Sequence, residues 1–202
     1  MTLADICAVQ IGYTARSRMQ PTHDAGGVLA LQLRDVPADG EIRLETLSRV
    51  AIPGIAQRYL VSCGDVIFRS RGDRTTATVV PDAASEEIAA ILPLIILRPD
   101  RSVATPEFVA WSINLPSTQR QLDASSQGGS LRMISKSSLE DLRIDVPDLA
   151  TQHRIVAAAS LARREAALAA SLAEKRLTLT TLALADAARR SGTAHPSERT
   201  KL

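Results

Sequence analysis

Residues 149–190 contain neither glycine nor proline, and this run of 42 residues constrains the fold more than any other feature of the sequence. The segment LATQHRIVAAASLARREAALAASLAEKRLTLTTLALADAARR is rich in alanine, leucine, arginine and glutamate, which are strong helix formers. An uninterrupted helix of this length extends about 60 Å at about 1.5 Å per residue. The sequence therefore predicts one long helix, which is too long for a small domain to cover and so requires a partner helix.

Two stripes of small and apolar residues follow the helical repeat along this segment. Alanines recur at spacings of three and four residues, a stripe of leucines runs beside them, and Glu165 and Lys175 interrupt the leucines. Alanines let two helices approach closely, and leucines supply buried area. We therefore predict a coiled-coil dimer interface made of Ala159, Ala162, Ala166, Ala169, Leu168, Leu172, Leu179 and Leu182.

The chain from residue 2 to about residue 148 has a different pattern, of short apolar runs separated by turn residues. Thr105 as N-cap and Pro106 at the first helical position predict a helix that Pro116 ends, with a further turn or two over 117–125. The spacing from Ser137 to Glu140 is that of a capping box. Strands are predicted at 27–33, 58–62, 65–68, 76–80, 89–99 and 142–147.

These patterns predict a fold of the α/β class, of the α+β type, with three segments. A strand-rich domain occupies residues 1–148, one long coiled-coil helix occupies 149–190, and a polar tail occupies 191–202. The tail contains Gly192 and Pro196 and is predicted to be disordered.

Composition and motif content exclude several classes of protein. Aromatic residues make up only 2% of the chain against 45% hydrophobic residues, so the core must be aliphatic. No segment approaches the roughly 20 apolar residues of a membrane span, and the first residues lack a secretory pattern, so we predict a cytoplasmic protein. Cys7 and Cys63 form no disulfide or metal framework. We find no phosphate-binding glycine loop and no nucleophile motif, and we therefore predict a non-catalytic binding module without cofactor or metal.

The charge is unevenly distributed along the chain, although its net value is only +2. Residues 151–202 carry nine basic and four acidic groups, which leaves fifteen basic and eighteen acidic groups in residues 1–150. The strand-rich domain is therefore slightly acidic, and any anion-binding surface on it must be local.

The most basic local feature is the segment VSCGDVIFRSRGDRTTATVV at residues 61–80. A hairpin turning at Gly72–Asp73 would place Ile67, Arg69 and Arg71 on one face and set Arg71 opposite Arg74. Like charges facing each other across a hairpin are unfavourable unless an anion or Asp73 intervenes. The segment is either a salt-bridged surface turn or a contact for phosphate or base edges.

Two further segments have side chains suited to nucleic acid. In SSQGGSLR, Gln127, Ser130 and Arg132 flank two glycines; glutamine suits adenine and arginine suits guanine in the major groove, although such loops are often only solvated. Gln32 and Arg34 are weaker candidates, because the pattern is compatible with their lying on a half-buried strand. Phosphate contact is also plausible for Tyr13, Thr14, Arg16 and Arg18 in the segment GYTARSR.

The order and spacing of six motifs resembles one half of a specificity subunit of type I restriction–modification systems. The resemblance covers the chain up to about residue 190. The motifs are Gly64 and Asp65, Pro106 and Phe108, Gly128 and Gly129, Ile134 and Leu139, Ile144 and Pro147, and Gln152 and Ile155.

The resemblance implies a target recognition domain that binds a specific DNA sequence and a helix that sets spacing. The implied partners are double-stranded DNA and a DNA adenine methyltransferase subunit, with a restriction subunit of nuclease or translocase activity left open. The usual subunit has two recognition domains and two long helices, whereas this chain has one of each. Either two copies pair as an antiparallel homodimer on a two-part palindromic site, or a second specificity chain supplies the other half. The alternative function is a protein-interaction scaffold that works through the helix without binding DNA.

Overall fold

The structure is a computed structural model that describes residues 1–15, 19–22, 27–37, 42–72, 75–81, 86–125 and 133–192. The chain divides into two compact units, of which the first is Met1–Val156 and the second begins at Ala157. The first unit holds all the strands named below and the start of the last helix.

Eight strands and four α-helices form the described part of the chain. The strands are β1 (Cys7–Ile11), β2 (Val28–Leu31), β3 (Ser48–Val50), β4 (Leu60–Val61), β5 (Val66–Arg69), β6 (Ala77–Val79), β7 (Ile88–Ala90) and β8 (Leu94–Pro99). The helices are α1 (Pro106–Ile113), α2 (Pro116–Ser125), α3 (Lys136–Glu140) and α4 (Leu149–Gly192). Short 3₁₀ turns lie at Leu3–Asp5, Leu33–Asp35, Leu44–Thr46 and Gln57–Tyr59. The predicted fold class, a sheet-rich domain followed by one long helix, is confirmed.

The strands form two four-stranded sheets. The first has the order β1-β8-β5-β6 and is antiparallel throughout. The second has the order β3-β2-β7-β4, in which β2 and β7 are parallel and the outer pairs are antiparallel.

Alternating side chains of the first sheet divide the core into layers. Val66 and Phe68 of β5 pack with Phe108 of α1 in one buried cluster, whereas Ile67 packs with Leu31 in a second cluster. The period of two residues in a strand produces this alternation. The first sheet is therefore covered by helices on one face and by the second sheet on the other. A third cluster lines the remaining face of the second sheet and includes Val28, Ala30, Val50, Leu60, Ala89 and Ile91.

Helix α1 begins as predicted. Thr105 is its N-cap and accepts a hydrogen bond from the Phe108 backbone N–H at 3.2 Å, and Pro106 is the first helical residue. The predicted cap of α3 is wrong by two residues, because Ser135 and not Ser137 accepts the hydrogen bond from the Ser138 backbone N–H.

Two predicted strands are wrong. The segment 89–99 is not one strand: β7 ends at Ala90 in the second sheet, and β8 starts at Leu94 in the first. Pro93 lies in the turn between them, and its missing N–H makes it unsuited to a continuous central strand. The segment 142–147 has only an isolated bridge from Arg143 to Thr2. Apolar runs in the sequence did not predict β1 or β3, whose buried and exposed positions alternate less regularly.

Helix α4 is continuous over 44 residues and confirms the prediction for 149–190. Ser191 and Gly192 complete the helix, and the rest of the predicted tail lies outside the described residues. From Leu161 to Arg190 every residue except Asp186 is exposed. Within the described ranges, no helix is both long and apolar enough to cross a membrane.

Candidate nucleic-acid interface

The predicted arginine hairpin exists. Strands β5 and β6 pair antiparallel, with Ile67 opposite Thr78 and Phe68 opposite Ala77. The last ladder contact is the hydrogen bond from the Arg69 backbone N–H to the Thr76 carbonyl oxygen, at 2.9 Å. Asp73 and Arg74 lie outside the described residues, so the predicted facing of Arg71 and Arg74 stays a prediction.

The described part of the hairpin tip is held by backbone contacts on two sides. The Ser70 hydroxyl donates to the Pro93 carbonyl oxygen at 2.5 Å, and the Ile134 backbone N–H donates to the Ser70 carbonyl oxygen at 2.8 Å. Arg71 forms an antiparallel bridge with Met133, which is the first described residue after the segment 126–132. The hairpin is therefore anchored to Met133 and Ile134, which follow in the chain the glycine-containing segment that the sequence singled out separately.

The three predicted arginines of this hairpin differ in their surroundings. Arg69 is half-buried, and its Nη1 donates to the Val36 carbonyl oxygen at 2.6 Å. Arg71 is exposed, and its guanidinium forms no hydrogen bond or ion pair with other described residues. Among the described residues, Arg71 thus has an exposed side chain without a polar partner, whereas Arg69 binds the fold itself.

The turn that joins β7 to β8 connects this hairpin to Tyr13. The Tyr13 backbone N–H donates to the Ala90 carbonyl oxygen at 2.7 Å, and the Leu92 N–H donates to the Tyr13 carbonyl oxygen at 2.9 Å. The Tyr13 ring is half-buried and meets the Tyr59 ring edge to face at 5.4 Å. Thr14, the next residue, is exposed. Tyr13 thus has a packing role, and Thr14 lies at the surface beside the same turn.

These contacts bring the hairpin, Tyr13 and Met133 to one end of the two sheets. Tyr13 binds the turn at residues 91–93, that turn binds Ser70, and the next residue, Arg71, bridges to Met133. Six further predicted residues lie outside the described residues; they are Arg16, Arg18, Arg74, Gln127, Ser130 and Arg132.

Arg34 also lies at this end of the two sheets, although the sequence made it a weaker candidate. It lies in the 3₁₀ turn after β2 and not on the strand, and it is exposed, with Nε 3.6 Å from a carboxylate oxygen of Asp35. The same turn leads to Val36, whose carbonyl oxygen Arg69 binds. A turn signal after an apolar run is common, and nothing in the sequence indicated that this one adjoins the hairpin.

Gly64 and Asp65, which carry part of the resemblance, form the turn before β5. Gly64 has φ +84°, a value that favours glycine. The Asp65 carboxylate accepts the Ser62 backbone N–H at 2.9 Å and lies 3.6 Å from Arg98 Nε. Burial raises the pKa of Asp65, and the hydrogen bond from Ser62 and the positive charges of Arg98 and Arg101 oppose that shift. This turn therefore stabilises the entry to the arginine hairpin from within the fold.

Gln152 joins the start of α4 to the globular domain. Its side chain is fully buried; Oε1 accepts the Thr105 backbone N–H at 2.9 Å, and Nε2 donates to the carbonyl oxygens of Val103 and Pro147 at 2.9 and 2.8 Å. Ile155, one turn further, packs against the first core cluster. The described motif residues of the resemblance thus build the framework of the fold, whereas the exposed candidate Arg71 lies outside those motifs.

Comparison with solved structures identifies the same fold in specificity subunits of type I restriction–modification systems. The HsdS subunit from Thermoanaerobacter tengcongensis matches over 100% of this chain and 50% of its own length, with a TM-score of 0.70 and 17% identity. A structure described as the basis of complex assembly and conformational transition of the type I R-M system matches over 90% and 42%, with a TM-score of 0.67 and 21% identity. The S subunit from M. genitalium matches over 80% and 37%, with a TM-score of 0.52 and 14% identity.

The chain spans about half the length, or less, of each of these structures. No protein-family model matches the sequence, and no curated protein matches it significantly. The fold implied by the sequence resemblance is therefore confirmed, and it is that of half an HsdS-type subunit. Within the described residues, no group of three or more histidine, cysteine, aspartate or glutamate side chains is arranged to hold a metal ion.

Proposed function

We propose that this chain is a specificity subunit that recognises a DNA sequence for a DNA adenine methyltransferase of the type I class. The observation that carries this proposal is the convergence of the hairpin with its exposed Arg71, of Tyr13 and Thr14, and of Met133 at one end of the domain. Loops gathered at one end of a rigid scaffold commonly form binding sites. The fold shared with HsdS subunits supports the same function. The alternative, a scaffold that does not bind DNA, leaves this convergence without a role.

In this proposal the globular domain supplies recognition and carries out no chemistry. Arg71 contacts phosphate or guanine, Arg74, Gln127, Ser130 and Arg132 are further candidates, and Thr14, Arg16 and Arg18 contact backbone phosphates. Arg69 acts as a positioning residue through the Val36 carbonyl oxygen. Methylation belongs to a partner subunit, and DNA cleavage, where it occurs, belongs to a further restriction subunit with nuclease or translocase activity.

The test is DNA binding by the complex of this chain with its methyltransferase, followed over a range of salt concentrations. Replacing Arg71 and Arg74 by alanine should weaken binding and lower the magnitude of the salt slope by roughly one per lost phosphate contact. If these residues bind guanine, discrimination should instead fall by about 1–3 kcal/mol per bidentate pair.

Arg143→Ala is the matched control, because Arg143 is exposed and is bridged to Thr2, far along the chain from the hairpin. It should leave sequence preference unchanged. Arg69→Ala should lower thermal stability as well as binding, because its guanidinium holds the fold. Unchanged affinity and salt slope in the Arg71/Arg74 variant would exclude this site.

We propose further that two copies pair through α4, so that two domains bind the same short sequence on opposite strands. The 44-residue helix extends about 66 Å at about 1.5 Å per residue, which corresponds to one to two DNA turns at roughly 34–36 Å per turn. Such a dimer requires a palindromic target in two parts. Sequencing the methylated sites of the host tests this, because an asymmetric motif would require a second specificity chain.

A further inference from the structure

Two charged residues interrupt the apolar stripe of α4, and their own helix offers them no partner. Glu165 and Lys175 are exposed and form no ion pair among the described residues. Side chains interact along a helix at spacings of three and four residues. At those spacings Glu165 meets only alanine and leucine, and Lys175 meets only leucine, serine and threonine. The neighbouring turns of α4 therefore supply no opposite charge to either residue, and both remain available to a charge on another molecule.

The stripe follows a heptad spacing. Its members recur at intervals of four and three residues, which keeps them on one side of a helix. All of them are exposed; Leu168, for example, is 72% exposed and Leu179 is 68% exposed. We call this set the central seam: Leu161, Glu165, Leu168, Leu172, Lys175 and Leu179.

We propose that the central seam binds the central seam of a second copy in an antiparallel register centred on residue 170. In this register Leu161 lies opposite Leu179 of the other copy, Glu165 opposite Lys175, and Leu168 opposite Leu172. Two-fold symmetry repeats each contact, so the seam contains four leucine layers and two pairs of opposite charge. The inference rests on the proposed pairing of two copies, takes the antiparallel orientation that the resemblance implies, and adds the register.

Other registers leave the charges without complements. A shift of seven residues in one direction places Glu165 opposite Leu182 and Lys175 opposite Leu172. The opposite shift places Glu165 opposite Leu168 and Lys175 opposite Ala158. A parallel, in-register pair places Glu165 opposite Glu165 of the other copy and Lys175 opposite Lys175 of the other copy. A charge desolvated against leucine or facing a like charge is unfavourable, and a polar seam position fixes register in coiled coils. The seam therefore selects one antiparallel arrangement.

Charge reversal tests the register on the full chain, by sedimentation over a range of concentrations without DNA. Glu165→Lys alone and Lys175→Glu alone each replace two attractive pairs by two repulsive ones. Each should weaken self-association at least about tenfold. The double variant Glu165→Lys/Lys175→Glu should associate as the natural protein does. An equimolar mixture of the two single variants should form a mixed dimer, because every facing pair is then of opposite charge.

Controls distinguish an effect on the register from an effect of overall charge and from unfolding of the chain. Glu174→Lys and Arg163→Glu make the same changes of charge on the side of the helix away from the seam, and they should have little effect on association. The double variant contains both substitutions, so its recovery excludes unfolding as the cause of the single effects. Helix content is checked by circular dichroism.

Several results would overturn the inference. Single variants that associate as tightly as the natural protein would exclude this register, and they would favour a parallel pair in which those reversals change nothing. A double variant as weak as the single ones would also exclude it. A natural protein that stays monomeric at high micromolar concentration would refute the pairing of copies altogether. DNA recognition through Arg71 is measured separately in the methyltransferase complex, so its failure is distinguishable from each of these results.

Discussion

Replacing Gln152 by leucine should destabilise the globular domain more than any exposed substitution near it. The side chain is fully buried and makes three hydrogen bonds, one to the Thr105 backbone N–H and two to the carbonyl oxygens of Val103 and Pro147. Leucine has a similar volume, so the change removes these bonds without opening a large cavity. The Thr105 N–H would then be buried without an acceptor.

The size of the effect follows from which groups water can reach. The contact with Thr105 is buried, and an unsatisfied buried donor costs about 1–3 kcal/mol. The two carbonyl contacts are only partly buried, so water can replace part of their loss, and we assign each about 0.5–1 kcal/mol. The sum is about 2–5 kcal/mol, and at about 2–4 °C per kcal/mol for a chain of this size its lower end alone corresponds to about 4–8 °C in the melting temperature.

The assay is urea unfolding at fixed protein concentration, followed by the fluorescence of Trp111. This is the single tryptophan of the chain, and its ring lies 5.6 Å from that of Phe108 in the same region of the core. His153→Ala is the matched control, because His153 is the next residue and is exposed; it should change stability by less than about 0.5 kcal/mol. A loss below about 1 kcal/mol in the Gln152 variant would refute the reasoning.

Two further predictions concern the helix start and the turn before β5. The hydrogen bond from the Thr151 backbone N–H, with that from its hydroxyl, holds the pKa of Asp148 below its usual value. Stability from this cap is therefore full above about pH 4 and is lost as the pH falls further. Asp148→Ala should lower the urea midpoint at pH 6 and not at the lowest pH. Gly64→Ala should lower the free energy of unfolding by about 1–2 kcal/mol, because φ at this position is positive. The new methyl group would also displace the Arg101 side chain. Gly54 also has a positive φ but lies in open space, so Gly54→Ala measures the backbone strain without a steric clash.

Sequence features within a short stretch of chain predicted the helices whose formation depends mainly on that stretch. The absence of glycine and proline predicted α4, and Thr105 followed by Pro106 predicted the start of α1. The prediction of one strand over 89–99 was wrong because an apolar run does not show which sheet each half joins. Pro93 within that run was the available signal. The predicted N-cap of α3 was wrong because the sequence has serines at both 135 and 137, and only the fold decides which of them caps the helix.

The sequence predicted which residues belong to the candidate site, and it did not predict how the described ones are arranged in space. The sequence indicated the hairpin, but the bond from Arg69 to Val36 joins residues 33 apart in the chain and depends on how the sheets pack. Periodicity gave no sign that Met133 lies beside Arg71. The six motifs of the resemblance indicated the family fold, since their described members form turns, caps and core contacts.

The turn at residues 91–93 has a consequence for how such a domain can diversify. It binds Tyr13 and Ser70 through backbone carbonyl and N–H groups or through the Ser70 hydroxyl, so none of its contacts depends on the side chain of Arg71. Substitutions of the exposed Arg71 and Thr14 in the adjoining loops therefore leave these contacts intact. If those loops recognise DNA as proposed, new target preferences can arise by single substitutions in an unchanged scaffold, and mutational tolerance should be greatest where binding is decided.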